Sequence, residues 1–167
     1  DPLLAEAAIL DLLLTGDPNF IAGAAAGQDP DTGLGVFVPP TPPLIGLISP
    51  MGTVAEGDDG TTTTLTFTVF RTGNAVDEVS VNWAVQALGL GFTNAADHGG
   101  SLPTGTVTLA AGETEKSFTV TVAGDATPEL NEVVRIALTG TPAGYTVASA
   151  TGQGTVANDD GPVLPDA

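Results

Sequence analysis

From Leu44 onward, apolar residues recur at every second position, and a stretch with that period can only bury them by forming strands with one face inward. Leu65, Phe67 and Val69 alternate with Thr64, Thr66 and Thr68, and Val79, Val81, Trp83 and Val85 follow the same rhythm. Phe118, Val120 and Val122 repeat it, as do Val134, Ile136 and Leu138. Ala-Ala-Gly-Glu between Leu109 and Glu115 reads as a short hairpin connection, and Tyr145, Val147 and Thr155-Val156 as the last strand. Counting Leu44–Ser49 as the first strand gives seven, separated by turn residues at sandwich-like intervals. The expected fold is all-β: a seven-stranded antiparallel immunoglobulin-like β-sandwich over residues 44–161. Trp83, inside an alternating register, is expected in its core rather than on a carbohydrate-stacking surface.

The first 43 residues lack this period and read as an arm. Asp1 and Pro2 suit a helix start and Gly16 its end, and the leucines of Leu3–Leu14 wrap most of the circumference of that helix. Gly23–Gly35 reads as linker, and Pro39-Pro40-Thr41-Pro42-Pro43 as polyproline II. A helix apolar nearly all round needs a partner surface. Either it folds back on its own sandwich, or residues 1–38 dock on a neighbouring copy, with Gly33–Val38 adding an extended segment to a sheet edge. Residues 162–167 form a short tail. The apolar run is too short to span a bilayer, so no membrane span is expected. The start at Asp1 is read as a processed or excised terminus.

Charge narrows the functional classes. Three basic residues against 20 acidic ones leave a net charge of −17, which repels nucleic acid and anionic surfaces and attracts cations. There is no cysteine, so thiol chemistry and cysteine-ligated metals are excluded. The single histidine, His98, is read as a solvated loop residue. No nucleophile elbow, P-loop or zinc-protease motif is present, and the chain is read as non-enzymatic.

Topology then sorts the acids. In an up-and-down sandwich, the connections after the first, third and fifth strands emerge at one end, joined by the end of the seventh. That pole receives Glu56, Asp58 and Asp59, then Asp97, then Asp125, Glu129 and Glu132, and finally Asp159 and Asp160. Clustered carboxylates raise one another's pKa, and a hard divalent cation relieves the repulsion. Calcium, which accepts about 6–8 oxygen ligands in flexible geometry, suits a loop-built carboxylate cage better than magnesium. A solvated acidic surface without an ion is the alternative at this point.

The same residues carry a family pattern. VAEGDDG (Val54–Gly60), TLTFTVFRTG (Thr64–Gly73), VSVNWAV (Val79–Val85), GTVTLAAGETEKSFTVTV (Gly105–Val122), VAGDATPELNEVVRIALTG (Val122–Gly140) and GQGTVANDD (Gly152–Asp160) appear in this order. Together they resemble a Calx-beta domain, the sandwich module of sodium–calcium exchangers and many bacterial surface proteins. The resemblance implies Ca2+ held by Glu56, Asp97, Asp125, Glu129, Glu132, Asp159 and Asp160. Two positions depart from the family: His98 stands where an aromatic follows the aspartate, and Ala126 where multi-calcium members carry a second acid. One or two ions are therefore expected. The resulting reading is an extracellular or cell-surface structural or adhesive protein, extended to a repeating fibre subunit assembled through the arm, its glycan or protein partner unidentified. A calcium-sensing regulatory module and an accessory domain of a larger secreted enzyme are the alternatives.

Overall fold

The structure is a computed structural model that describes residues 42–161 except Asn74, together with two short strands before them. The chain divides into two units, Asp1–Thr41 and Pro42–Ala167. In the first, β1 (Gly27–Gln28) pairs antiparallel with β2 (Gly35–Val36), so part of the expected linker is a two-residue ladder. Part of the segment expected to reach a sheet edge thus has its partner inside the arm. The intervening DPDTGL carries the Pro, Asp and Gly residues that favour chain reversal. The expected helix over residues 1–16 and the tail at 162–167 lie outside the described residues.

The second unit is a β-sandwich. One sheet has the order β10-β3-β5-β8 and the other β4-β11-β9-β6-β7. These are β3 (Leu44–Ile48), β4 (Thr53–Ala55), β5 (Thr62–Arg71), β6 (Val79–Val85), β7 (Thr104–Leu109), β8 (Glu115–Ala123), β9 (Glu132–Leu138), β10 (Thr146–Ser149) and β11 (Thr151–Ala157). The sandwich therefore has nine strands, not seven: the expected first strand, Leu44–Ser49, is β3, a further short strand, β4, stands in the connection after it, and the expected last strand is divided at Ala150 into β10 and β11, one in each sheet. Between β3 and β4, Pro50 has no N–H to continue a ladder. β3 pairs with β10 and β4 with β11 in parallel, so the expected all-antiparallel pairing fails at these two seams.

The glycines of GQG have a packing role at one seam. A Cβ on Gly154 would collide with Leu65 and Pro50, and one on Gly152 would press on the Phe67 ring at 3.2 Å. Their absence of side chains lets β11 lie close against the core of the facing sheet. That core contains Leu65, Phe67, Val69, Val120 and Val122 from one sheet and Val81, Trp83, Leu109, Val134 and Ile136 from the other. Trp83 is buried and stacks on Phe118 with ring centroids 4.5 Å apart. Among the described residues, no helix is long and apolar enough to cross a membrane.

Strand register brings the strand ends together at two poles. Thr62 opposes Ala123, Val156 opposes Glu132, and Ala157 opposes Ala55, so the start of β5 and of β9 meets the ends of β4, β8 and β11. At the other pole Ile45 opposes Arg71, Phe70 opposes Glu115, and Val79 opposes Leu109.

Candidate functional site

Four chain segments deliver carboxyl groups to the first pole. Glu56 directly follows β4, where its N–H continues the ladder by donating to the Ala157 carbonyl at 2.9 Å. Its side chain is turned inward and the residue is only 7% exposed. Asp125 follows β8 and accepts the Thr127 N–H at 2.6 Å, a tight Asx turn that starts the next loop. Glu129 lies in that loop and Glu132 opens β9. Asp160 lies beyond the end of β11.

Asp97 is placed by a short 3-10 turn, Ala96–His98. Its carboxylate accepts the Asn94 N–H, while Asn94 Oδ1 accepts the Ala96 N–H at 2.8 Å. His98 anchors this turn instead of lying free in solvent. Its Nδ1 donates to the Thr121 carbonyl at 2.8 Å, and its Nε2 shares a hydrogen bond of 3.1 Å with the buried Thr93 hydroxyl. Both ring nitrogens are thus engaged, which takes His98 out of the pool of ligands and bases. Nothing in the local sequence announces this role, because the partners lie on a strand 23 residues away and on a residue hidden in the loop.

A second device unseen in the sequence is Gly124. A Cβ there would collide with the Gly57 carbonyl and lie 2.8 Å from that of Asp58. Glycine lets the loop after β4 rest on the end of β8, which brings Glu56 towards Asp125. Asn131 Oδ1 accepts the Asn158 N–H at 3.2 Å and ties the loop before β9 to the chain leaving β11.

The carboxyl oxygens of Asp97, Glu129 and Glu132 lie within 4.8 Å of one another. Burial, and then the charges of Asp125, Glu129, Asp160 and Asp97, push Glu56 up to about 7. Burial, the charges of Asp97 and Glu129 and a hydrogen bond with Asp97 push Glu132 to about 7 as well. Glu129 is raised by burial and by Asp125, and Asp160 by burial and by Asp159. Of the seven expected site residues, Asp97, Glu129 and Glu132 are thus brought into one cluster, and Glu56, Asp125 and Asp160 feel the charges of that pole. Asp159 acts on Asp160 but is exposed, and its Oδ1 accepts the Gly57 N–H at 3.0 Å, bracing the loop.

The donor set fits a calcium ion. All donors are hard carboxylate oxygens, and one of them, Asp160 Oδ2, is buried with no hydrogen-bond partner. No side chain of this protein supplies the missing positive charge. Arg71 is committed at the opposite pole, Lys116 pairs with Glu113 at 3.4 Å, and Arg135 donates to Gln86 at 3.2 Å.

No family model matches the chain, and no curated protein matches it. Solved structures do. The apo form of the Calx CBD1 domain aligns over 72% of this chain and 100% of its own length, with 18% identity and a TM-score of 0.53. The Calx CBD2 domain aligns over 70% of this chain and 86% of its own, with 11% identity and a TM-score of 0.53. CBD12 from CALX1.2 aligns over 65% of this chain but 41% of its own length, with 23% identity and a TM-score of 0.52. At these identities the likeness is one of fold, and the sandwich is the Calx-beta fold that the sequence motifs resemble.

Proposed function

We propose that this chain is a non-enzymatic, calcium-binding sandwich module. The observation that carries the reading is the convergence of six carboxylates from four segments at a pole that no protein cation reaches. Asp97, Glu129 and Glu132 hold the ion, Glu56, Asp125 and Asp160 complete its surroundings, and Asp159 serves the loop. The ion supplies positive charge and oxygen coordination, which join the loops after β4, β6, β8 and β11 into one rigid end. The only histidine is spent on anchoring Asp97, so no acid–base role is assigned to it.

A module stiffened at one end suits a structural or adhesive role on a cell surface, and residues 1–38 offer an apolar segment for self-association. Thermal melts in millimolar calcium, in excess chelator and in magnesium test the ion. A ligand specific for the folded state at a hundred times its dissociation constant adds about 2.7 kcal/mol, a shift of several degrees for a domain of this size. A calcium-specific rise supports the reading, and identical melts overturn it. Sedimentation of the full chain beside a variant lacking residues 1–38 tests assembly separately: large particles that persist without the arm refute its role.

A further inference from the structure

The sandwich has four edge strands, and three of them carry a device that discourages further pairing. β10 and β4 are only 4 and 3 residues long. β8 opens on Glu115-Lys116, and the His98 ring caps its edge by donating to the Thr121 carbonyl. β7, with the sequence TGTVTL, is the exception: it has 6 residues, no charge and no proline. It pairs with β6 on one side only. The Val85 N–H donates to the Pro103 carbonyl, so every second residue from Pro103 turns its backbone towards β6. Thr104, Thr106 and Thr108 therefore turn theirs outward, and among the described residues nothing bonds to those backbone groups.

We infer that β7 pairs antiparallel with β7 of a second copy of this chain, on a two-fold axis at Thr106. The strand is its own complement in that register. Thr104 meets Thr108, Thr106 meets Thr106, and each of these outward pairs exchanges two main-chain hydrogen bonds. On the solvent face every cross-strand pair is threonine with threonine, a favourable combination. On the inner face Gly105 meets Val107, a gap opposite a branched side chain. Charge selects the same orientation. β7 starts at the acidic pole, where Thr104 opposes Ala84, and ends at the Arg71 pole, where Leu109 opposes Val79. An antiparallel pair thus holds the two acidic poles at opposite ends, about 20 Å apart for a strand of 6 residues. Physiological salt screens repulsion over about 8 Å, so chains of net charge −17 meet along this edge with their acids apart. A parallel pair would set the poles side by side. The two five-stranded sheets become one across the axis, and the contact closes on itself as a dimer. It requires no bound ion and is independent of the calcium reading.

The test is sedimentation velocity of the full chain in chelator, over a concentration series. Thr106→Lys sets two like charges against each other at the axis and weakens the dimer by about tenfold or more. Thr106→Glu does the same, and mixing the two variants restores dimers, because residue 106 faces only its own counterpart. Thr106 is exposed and its hydroxyl donates only to the exposed Asn82, so neither substitution threatens the sandwich, as thermal melts of each variant verify. The absence of cysteine allows a second readout. Oxidation of Thr106→Cys yields covalent dimers, whereas Thr64→Cys, exposed on the outer face of the other sheet, does not. A chain that stays monomeric at every concentration overturns the inference, as does a mixture of the charged variants that fails to associate. Particles whose size ignores Thr106→Lys and that vanish without residues 1–38 assign self-association to the arm and likewise overturn the edge pairing.

Discussion

The two poles of the sandwich meet the same problem, loops that must be joined through polar groups, and solve it with opposite charge. At one pole Arg71, only 2% exposed, extends inward from β5 and uses its whole guanidinium. Its Nε donates to the Glu113 carbonyl at 2.7 Å, Nη1 to the Asp77 carbonyl and the Tyr145 hydroxyl, and Nη2 to the carbonyls of Ala75 and Ala110. Five donors thereby join the loop before β6, the hairpin before β8 and the approach to β10. At the other pole six carboxylates gather with no such group among them. One end carries its cation covalently, whereas under the calcium reading proposed above the other takes its cation from solution.

The comparison is broken most severely at Arg71. Arg71→Leu leaves four carbonyls of two loops, and the Tyr145 hydroxyl, without their donor, and bonds to a charged donor contribute about 1.5–3 kcal/mol each. We expect a loss of about 4 kcal/mol or more in urea unfolding, the same in calcium and in chelator. A loss under about 1 kcal/mol removes Arg71 as the organiser of its pole. Gly124→Ala attacks the other end. The new methyl displaces the Gly57 and Asp58 carbonyls, lowering stability by about 1–3 kcal/mol in the manner of overpacking. It also moves Glu56 from its partners, so the calcium shift of the melt shrinks as well. An unchanged calcium shift means that the loop after β4 does not contribute to the ion site.

Charge removal sharpens the contrast because its sign is reversed. Glu56→Gln takes a repelled carboxylate out of the pole while keeping its shape. In chelator at pH 8 it raises stability by about 1–2 kcal/mol, and it diminishes the gain from calcium. The pH profile of the ion-free protein follows from the same groups. Glu56 and Glu132 titrate near 7 when folded, against an ordinary 4.5, so between those values the folded state holds more protons than the unfolded one. Stability therefore falls as pH rises from about 4.5 through 7, and levels off above. Calcium, which favours the ionised carboxylates, suppresses that fall. Melts across pH in chelator that rise or stay flat over this window contradict the electrostatics of the pole.

How much of this was legible in the chain depended on whether a feature was local or spatial. Alternation is local, and it located the core residues of β5, β6, β8 and β9. The acidic pole was also legible, because an up-and-down order assigns each loop to an end without knowledge of any contact. The short β4 was not, because the three residues Thr53–Ala55 lie within what reads as the connection after Leu44–Ser49. The crossing at Ala150 was not either, since Tyr145, Val147 and Thr155-Val156 read as one last strand. His98 and Gly124 were beyond reach for a different reason. Each acts through a neighbour brought in by the fold, the Thr121 carbonyl for one and the Gly57 carbonyl for the other, and no spacing in the sequence encodes those encounters.

The smallest effect concerns Asp159, and it separates the ion from its scaffold. Sequence resemblance groups Asp159 with Asp160 as a closing pair, yet the two differ in their surroundings. Asp160 keeps a buried oxygen without a partner, whereas Asp159 is exposed and its Oδ1 already accepts the Gly57 N–H. Asparagine retains a side-chain carbonyl at that position and so retains the loop contact. Asp159→Asn should change stability by no more than about 0.5 kcal/mol and leave most of the calcium shift in place. Asp159→Ala, which removes the acceptor, should lose about 1 kcal/mol, most visibly in the ion-free protein. If asparagine proves as damaging to the calcium shift as alanine, the charge of Asp159 rather than its hydrogen bond is what the pole uses, and the ion then reaches further along the chain leaving β11 than the geometry of Asp97, Glu129 and Glu132 implies.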